Sequence, residues 1–203
     1  KPHHRNRVTS VRMAKQTGDE WVENYAKANG IAPEVIMWVG ERPDALHSYE
    51  MYDNPDDNPL IYHPKAQRSA FVTHRSLEQA SKIINKRHLF TPNALETALI
   101  GTIGAPAALD IQSWIAMGDS LPKRAEIISN PDTARLPDQI PSRLMLAYQA
   151  LNWVTEDTLD SWMTYMARMQ REVQALFCTS IMNICGWQAS SLCVGTKWWM
   201  TPR

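Results

Sequence analysis

The chain has 203 residues, enough for one large domain or two small ones and enough to bury a core without disulfide or metal staples. Apolar residues make up 44% and charged residues 21%, the proportions of an ordinary globular protein. Lys plus Arg balances Asp plus Glu at 21 each, which removes the bulk field that would draw the whole chain to nucleic acid or to an anionic membrane.

The first assignable segment, residues 8–14, alternates polar and apolar positions around Val11 and Met13 and predicts a short strand. A lone strand leaves its backbone donors and acceptors without a ladder, and the remaining residues offer no strong partner. The strand is therefore expected to belong to a sheet beyond this chain, with at most a brief pairing in the 50–72 loop. From Thr17 the pattern turns helical. Asp19 and Glu20 suit a first turn, Trp21, Val22, Tyr25 and Ala28 share a face, and Gly30 can stop the helix. Pro33 opens a second helix carrying Val35, Ile36, Trp38 and Val39. Residues 50–68 contain Asn54-Pro55, Asn58-Pro59 and His63-Pro64; each residue before a proline is biased away from helix, so an irregular loop is predicted.

Thr73 caps the next helix, with Leu77, Ala80, Ile83 and Ile84 at helical spacing. Thr91-Pro92 starts another that should end near Gly101, and an Ala-rich helix should cover residues 104–117. Residues 121–141 are punctuated by proline and predict at most one short helical turn; residues 144–154 predict a helix. Thr155 should cap the longest helix, whose Leu159, Trp162, Met163, Met166, Met169, Val173 and Leu176 step by three or four in one stripe. The fold class is mainly α, a helical bundle with a short amino-terminal strand.

The three cysteines, Cys178, Cys185 and Cys193, are an odd count that argues against a secreted disulfide framework, and their spacing lacks a zinc signature. Reduced thiols in a cytoplasmic protein are expected. Residues 1–12 are basic and polar and carry no apolar signal core, and no stretch reaches the ~20 apolar residues of a membrane span. His3, His4, His63 and His74 are expected to be flank and loop residues rather than a metal set. The Trp/Met stripe of residues 162–169 reads as core or as a subunit contact. Trp198-Trp199-Met200 is unusual for a free tail and suggests docking.

Three stretches carry a family resemblance. His3-His4-Arg5-Asn6-Arg7-Val8 is similar to the Asn-Arg that closes the AAA+ core module of MoxR-like ATPases. Asn29-Gly30-Ile31, Pro33-Glu34-Val35-Ile36 and Arg42-Pro43-Asp44-Ala45-Leu46-His47 resemble their linking helix pair, and Phe71-Val72-Thr73-His74-Arg75-Ser76-Leu77-Glu78 resembles the start of their lid helix. The resemblance covers residues 5–165. It implies a last core strand in residues 1–16, a helical linker and irregular loop in 17–72, a helical lid in 73–177, and a tail of unassigned role in 178–203.

The resemblance also implies roles. Arg7, with Arg5 as the alternative, would be an arginine finger on ATP held by a neighbouring subunit, and Arg75, opening the lid helix behind Thr73, would sense the γ-phosphate of the subunit's own ATP. A guanidinium suits both tasks because phosphoryl transfer builds charge on equatorial oxygens that a permanently charged fork can match. His74 departs from the family pattern, which has proline there; an imidazolium at a helix amino terminus is disfavoured. The chain contains neither the G-x-x-x-x-G-K-[ST] phosphate loop nor an apolar strand ending in adjacent acids, so ATP and Mg²⁺ are expected in the full-length protein and no activity from this chain alone. By resemblance the parent is a hexameric ring using ATP for chaperone-like remodelling or assembly, with a von Willebrand A-domain protein as partner. The rival expectation is a non-enzymatic helical adaptor that binds a protein through its Trp/Met-rich carboxyl-terminal face. Nucleic-acid binding is disfavoured by the absence of any basic run.

Overall fold

The computed structural model describes residues 15–185, with side chains as far as Asn183. The expected strand at 8–14, Arg5, Arg7, Cys193 and Trp198-Trp199 lie outside the described residues, as does the Cys185 side chain. Within residues 15–185 all regular structure is helical, and the predicted pairing in the 50–72 loop amounts to one backbone bond, Val72 N–H to the Leu60 carbonyl at 2.7 Å.

Helix starts follow the sequence closely. Thr17 accepts from Glu20 N while its own N–H donates to Glu20 Oε2 at 2.9 Å, a reciprocal cap that opens α1 (Gly18–Trp21). The helix widens into a π-turn over Val22–Ala26 and the chain reverses at Gly30, whose φ of 66° only glycine adopts cheaply. Pro33 lies in the first turn of α2 (Pro33–Glu41). Thr73 caps α3 (His74–Asn85) and Thr91 caps α4 (Pro92–Ile103). Next come α5 (Ala105–Asp119), α6 (Arg124–Ser129), α7 (Ile140–Trp153), α8 (Leu159–Met166) and α9 (Arg171–Cys185).

Three boundaries differ from the expectation. α4 runs through Gly101 and ends at Gly104, because Leu99 and Ile103 bury fully and Gly104 supplies the positive φ of 86°. α7 begins at Ile140 rather than 144, with Pro141 inside the first turn, where a missing N–H costs nothing. The long helix after Thr155 is two helices. The Arg168 and Met169 N–H groups bond three residues back, to Tyr165 and Met166, which tightens the last turn of α8. Arg168 Nη1 then donates to the Pro131 and Ala134 carbonyls at 2.8 and 2.9 Å, and Gln174 Nε2 donates to those of Ala167 and Met169. The Gln174 bonds satisfy carbonyls freed by the break, and Arg168 ties the end of α8 to the segment after α6; α9 packs on α7 while α8 packs on α6.

Burial forms two adjoining clusters. One gathers Trp21, Ile31, Trp38, Leu46, Leu77, Ile84, Leu99 and Ile111; the other gathers Ile127, Met145, Leu146, Trp162, Tyr165, Met166, Met169 and Phe177. Trp114 and Tyr148 pack against both. The apolar face read as a linker shares one core with α3, α4 and α5, so packing continues across residue 72 without a seam. Trp162, Met166 and Met169 are interior, so this part of the Trp/Met stripe is core.

The 50–68 loop is irregular yet tightly organised. Buried Asn58 donates to the Asp44 carbonyl and accepts from Leu60 N, and the Arg68 guanidinium donates to the carbonyls of Pro55, Asn58 and Ile61. Arg42 of the Arg-Pro-Asp run reaches α5, its Nε 2.7 Å from Asp110 Oδ2, which also accepts from Trp38 Nε1 at 3.1 Å. Glu34 is sealed between α2 and Gly118 of α5, with Arg87 Nη2 3.1 Å from its Oε1 and Arg87 Nε 2.7 Å from Asp119 Oδ1. Tyr49, Met51, Tyr62 and Leu89 stay exposed.

Candidate functional site

The start of α3 is set by two side chains. Thr73 is extended, and its Oγ1 accepts from Ser76 N at 3.0 Å while Thr73 N–H donates to Ser76 Oγ at 2.8 Å. Ser76 Oγ in turn reaches the Phe71 carbonyl at 3.0 Å, which ties the helix start to the strand-like run before it. Serine here does what glutamate does in the usual reciprocal cap, a partner that the sequence reading did not single out. With those donors engaged, the N–H groups of His74 and Arg75 are left with no acceptor among the described residues, and the positive end of the helix points outward.

Arg75 is exposed in this first turn and makes no hydrogen bond or ion pair among the described residues. The reason lies one turn on. Glu78, the nearest helical carboxylate, is already held by Lys82 Nζ at 2.7 Å and by the Tyr25 hydroxyl at 3.1 Å. Those two hydrogen bonds, Lys82 first, hold its carboxyl below the usual glutamate range, with Arg75 adding a smaller pull. The guanidinium therefore keeps its fork free. Thr73, Arg75, Ser76 and Phe71 border an open groove of about 900 Å³, completed on the far side by Gly101 and Thr102 of α4.

Access from α4 depends on its glycines. A side chain at Gly101 would meet nothing within 4 Å, so the groove wall is low there. Gly104 instead lies against the chain before α3: a Cβ would sit 2.8 Å from the Ala70 carbonyl oxygen. The close approach brings the end of α4 beside Ala70 and Phe71, which border the groove.

His74 also borders the groove, but its ring packs against the protein. Its ring is half-buried, 6.1 Å from the Trp21 ring and tilted by 56°, and its Nε2 is buried without a partner among the described residues. Burial pushes its pKa below the ordinary 6.5, Lys15 pushes the same way, and a hydrogen bond with the Gln16 backbone partly opposes them. A neutral imidazole removes the conflict with the helix amino terminus that the sequence implies.

Of the residues expected to act on nucleotide, the structure brings Thr73 and Arg75 together on one helix start; Arg7 and Arg5 lie outside the described residues. Among the described residues, no group of three or more His, Cys, Asp or Glu converges as a metal site, and no helix is long and apolar enough to cross a membrane. No family model, curated protein or solved structure matches the chain.

Proposed function

We propose that the chain is the helical lid portion of a MoxR-like AAA+ ATPase, preceded by the linker and the last strand of the nucleotide-binding core, and that Arg75 reads the γ-phosphate of bound ATP. The observation that carries this reading is Arg75 itself: a permanently charged fork, unpaired among the described residues, in the first turn of a capped helix beside an open groove. The ordered run of family-like residues from Arg5 to Glu78 supports it from the sequence side. Arg7, or Arg5 in its place, would supply the finger to the ATP of a neighbouring subunit in a hexameric ring, with Mg²⁺ held by the core.

In this mechanism the groove meets the phosphate tail when core and lid close. Thr73 and Ser76 hold the helix start rigid, its unpaired N–H groups face the anion, and Arg75 exchanges water for phosphate oxygens. Loss of the γ-phosphate releases that contact and lets the lid rotate against the core, which supplies movement for remodelling or assembly. A von Willebrand A-domain partner accords with the resemblance.

In the full-length ATPase, Arg75→Ala is expected to lower ATP turnover by about one to two decades, since a charge-assisted contact is worth ~1.5–3 kcal/mol. Arg75→Lys should recover little, because an ammonium cannot reproduce the fork. Steady-state turnover normalised to folded protein by circular dichroism checks this. A variant that unfolds the lid yet leaves activity per folded molecule unchanged would make Arg75 a structural residue and overturn the reading.

A further inference from the structure

Arg75 and His74 are consecutive and both border the groove, but Arg75 is exposed while the His74 ring packs back on Trp21 with its Nε2 buried. What His74 touches there belongs to the chain entering the domain. Its ring faces buried Trp21 of α1 and the Gln16 backbone, and Lys15 lies close enough to act on its charge. Lys15 is itself tied down, its Nζ 2.8 Å from the His47 carbonyl. A second thread runs alongside: Trp21 stacks on Tyr25 at 6.2 Å, and Tyr25 bonds Glu78 one turn after His74.

We propose that His74 is a positioning residue, a wedge between the entering segment at Lys15-Gln16 and the first turn of α3 that fixes how Arg75 is presented to the groove. The proposal rests on the reading of Arg75 as the phosphate sensor. At N1 of a capped helix, a side chain that is anchored inward fixes the backbone from which the next residue projects. An Arg has many rotamers, so its base direction is the one part the fold can preset. The wedge also links Arg75 to whatever moves the chain ahead of Lys15, which by the proposed function is the end of the core.

The wedge requires a neutral ring. Lys15 faces it from the entering segment, α1 presents Trp21, and its own helix carries Arg75 and Glu78. Protonation would place a second cation beside Lys15 at the positive end of a helix, in a position where Nε2 has no acceptor among the described residues. The contact is therefore expected to loosen below the ordinary histidine range.

The test compares His74→Ala, His74→Phe and Arg75→Ala in the full-length ATPase, measuring kcat and KM for ATP across the acid range. His74→Ala is expected to lower kcat about tenfold with KM for ATP little changed, as a small misplacement of a charge-stabilising group does. His74→Phe keeps the ring against Trp21 and cannot protonate. It should restore kcat and abolish the acid-side loss shown by the parent. If both His74 variants match the parent in kcat and keep its acid limb while Arg75→Ala is crippled, the wedge is overturned and the sensor reading stands. If Arg75→Ala is also unaffected, the sensor reading itself fails. Should His74→Ala not fold, the His74→Phe profile decides: a lost acid limb supports the wedge, a retained one overturns it.

Discussion

Glu34 keeps its side chain only 1% exposed, and neither carboxylate oxygen has a hydrogen-bond partner among the described residues, although Arg87 stands 3.1 Å away. Burial pushes its carboxyl up; Arg87 pulls it down by less, and Asp119 adds a further upward push. Folding thus raises this carboxyl's affinity for its proton. Its contribution to stability is fully present below the unfolded value of 4.5 and is lost as pH rises through the higher folded value. Glu34→Gln removes the titration, so its stability relative to the parent is expected to improve as pH rises above the unfolded value of 4.5 in urea unfolding. A variant that falls further behind the parent at alkaline pH would show an ionised, stabilising pair with Arg87. Glu78 is the opposite case at the same scale: hydrogen bonds from Lys82 and Tyr25 favour its charged form, and that occupation is what leaves Arg75 open. The sequence exposes Arg75 as a candidate but not its freedom, since nothing in the spacing tells which cation Glu78 will choose.

Helix starts were legible because their signals are local. Thr17, Thr73 and Thr91 each accept from a backbone N–H three residues on, as their place ahead of an apolar run predicts. The division of α8 from α9 was not legible, because the apolar stripe keeps its three-and-four spacing through the break. What ends α8 is Arg168 reaching carbonyls 34 and 37 positions away, a contact that exists only once the chain has folded. The two neighbouring glycines of α4 show the same limit. Either could stop a helix, and the burial of Ile103, the positive φ of Gly104 and its close approach to Ala70 together select the later one. Gly104→Ala is expected to cost ~1–3 kcal/mol, from a strained positive φ together with the clash on Ala70. Gly101→Ala, in open helical surroundings, should instead gain ~0.5–1 kcal/mol. Paired denaturation curves check both, and equal effects at the two sites would refute the assignment of the stop.

Over the whole molecule, the mainly helical class followed from periodicity, whereas the way the pieces share a core did not. The segment read as a linker contributes Trp21, Ile31, Trp38 and Leu46 to the same interior as the helices after Thr73, and Trp114 and Tyr148 join that interior to the second cluster. Such sharing depends on contacts between residues far apart in the chain, as does the seating of Lys15-Gln16 against His74. The candidate site was therefore legible as a run of residues around Thr73 and Arg75, and illegible in what surrounds them.

The interior of the second cluster leans on sulfur. Met145 and Met166 lie there almost without exposure, while Met51 in the loop is 65% exposed. Sulfoxide formation turns a pliable thioether into a polar group, so the fold itself acts as a chemical shield whose leaks measure its opening. Under mild peroxide, peptide mass spectrometry should find Met51 modified quickly with the helical signal unchanged, and Met145 and Met166 modified only as fast as the cluster opens. In strong urea the rates should converge. Equal rates in native buffer would mean that the second cluster opens far more often than its burial implies. Oxidative damage to the described residues is thus expected to begin as a harmless surface mark and to become irreversible in effect only after the second cluster has already let solvent in.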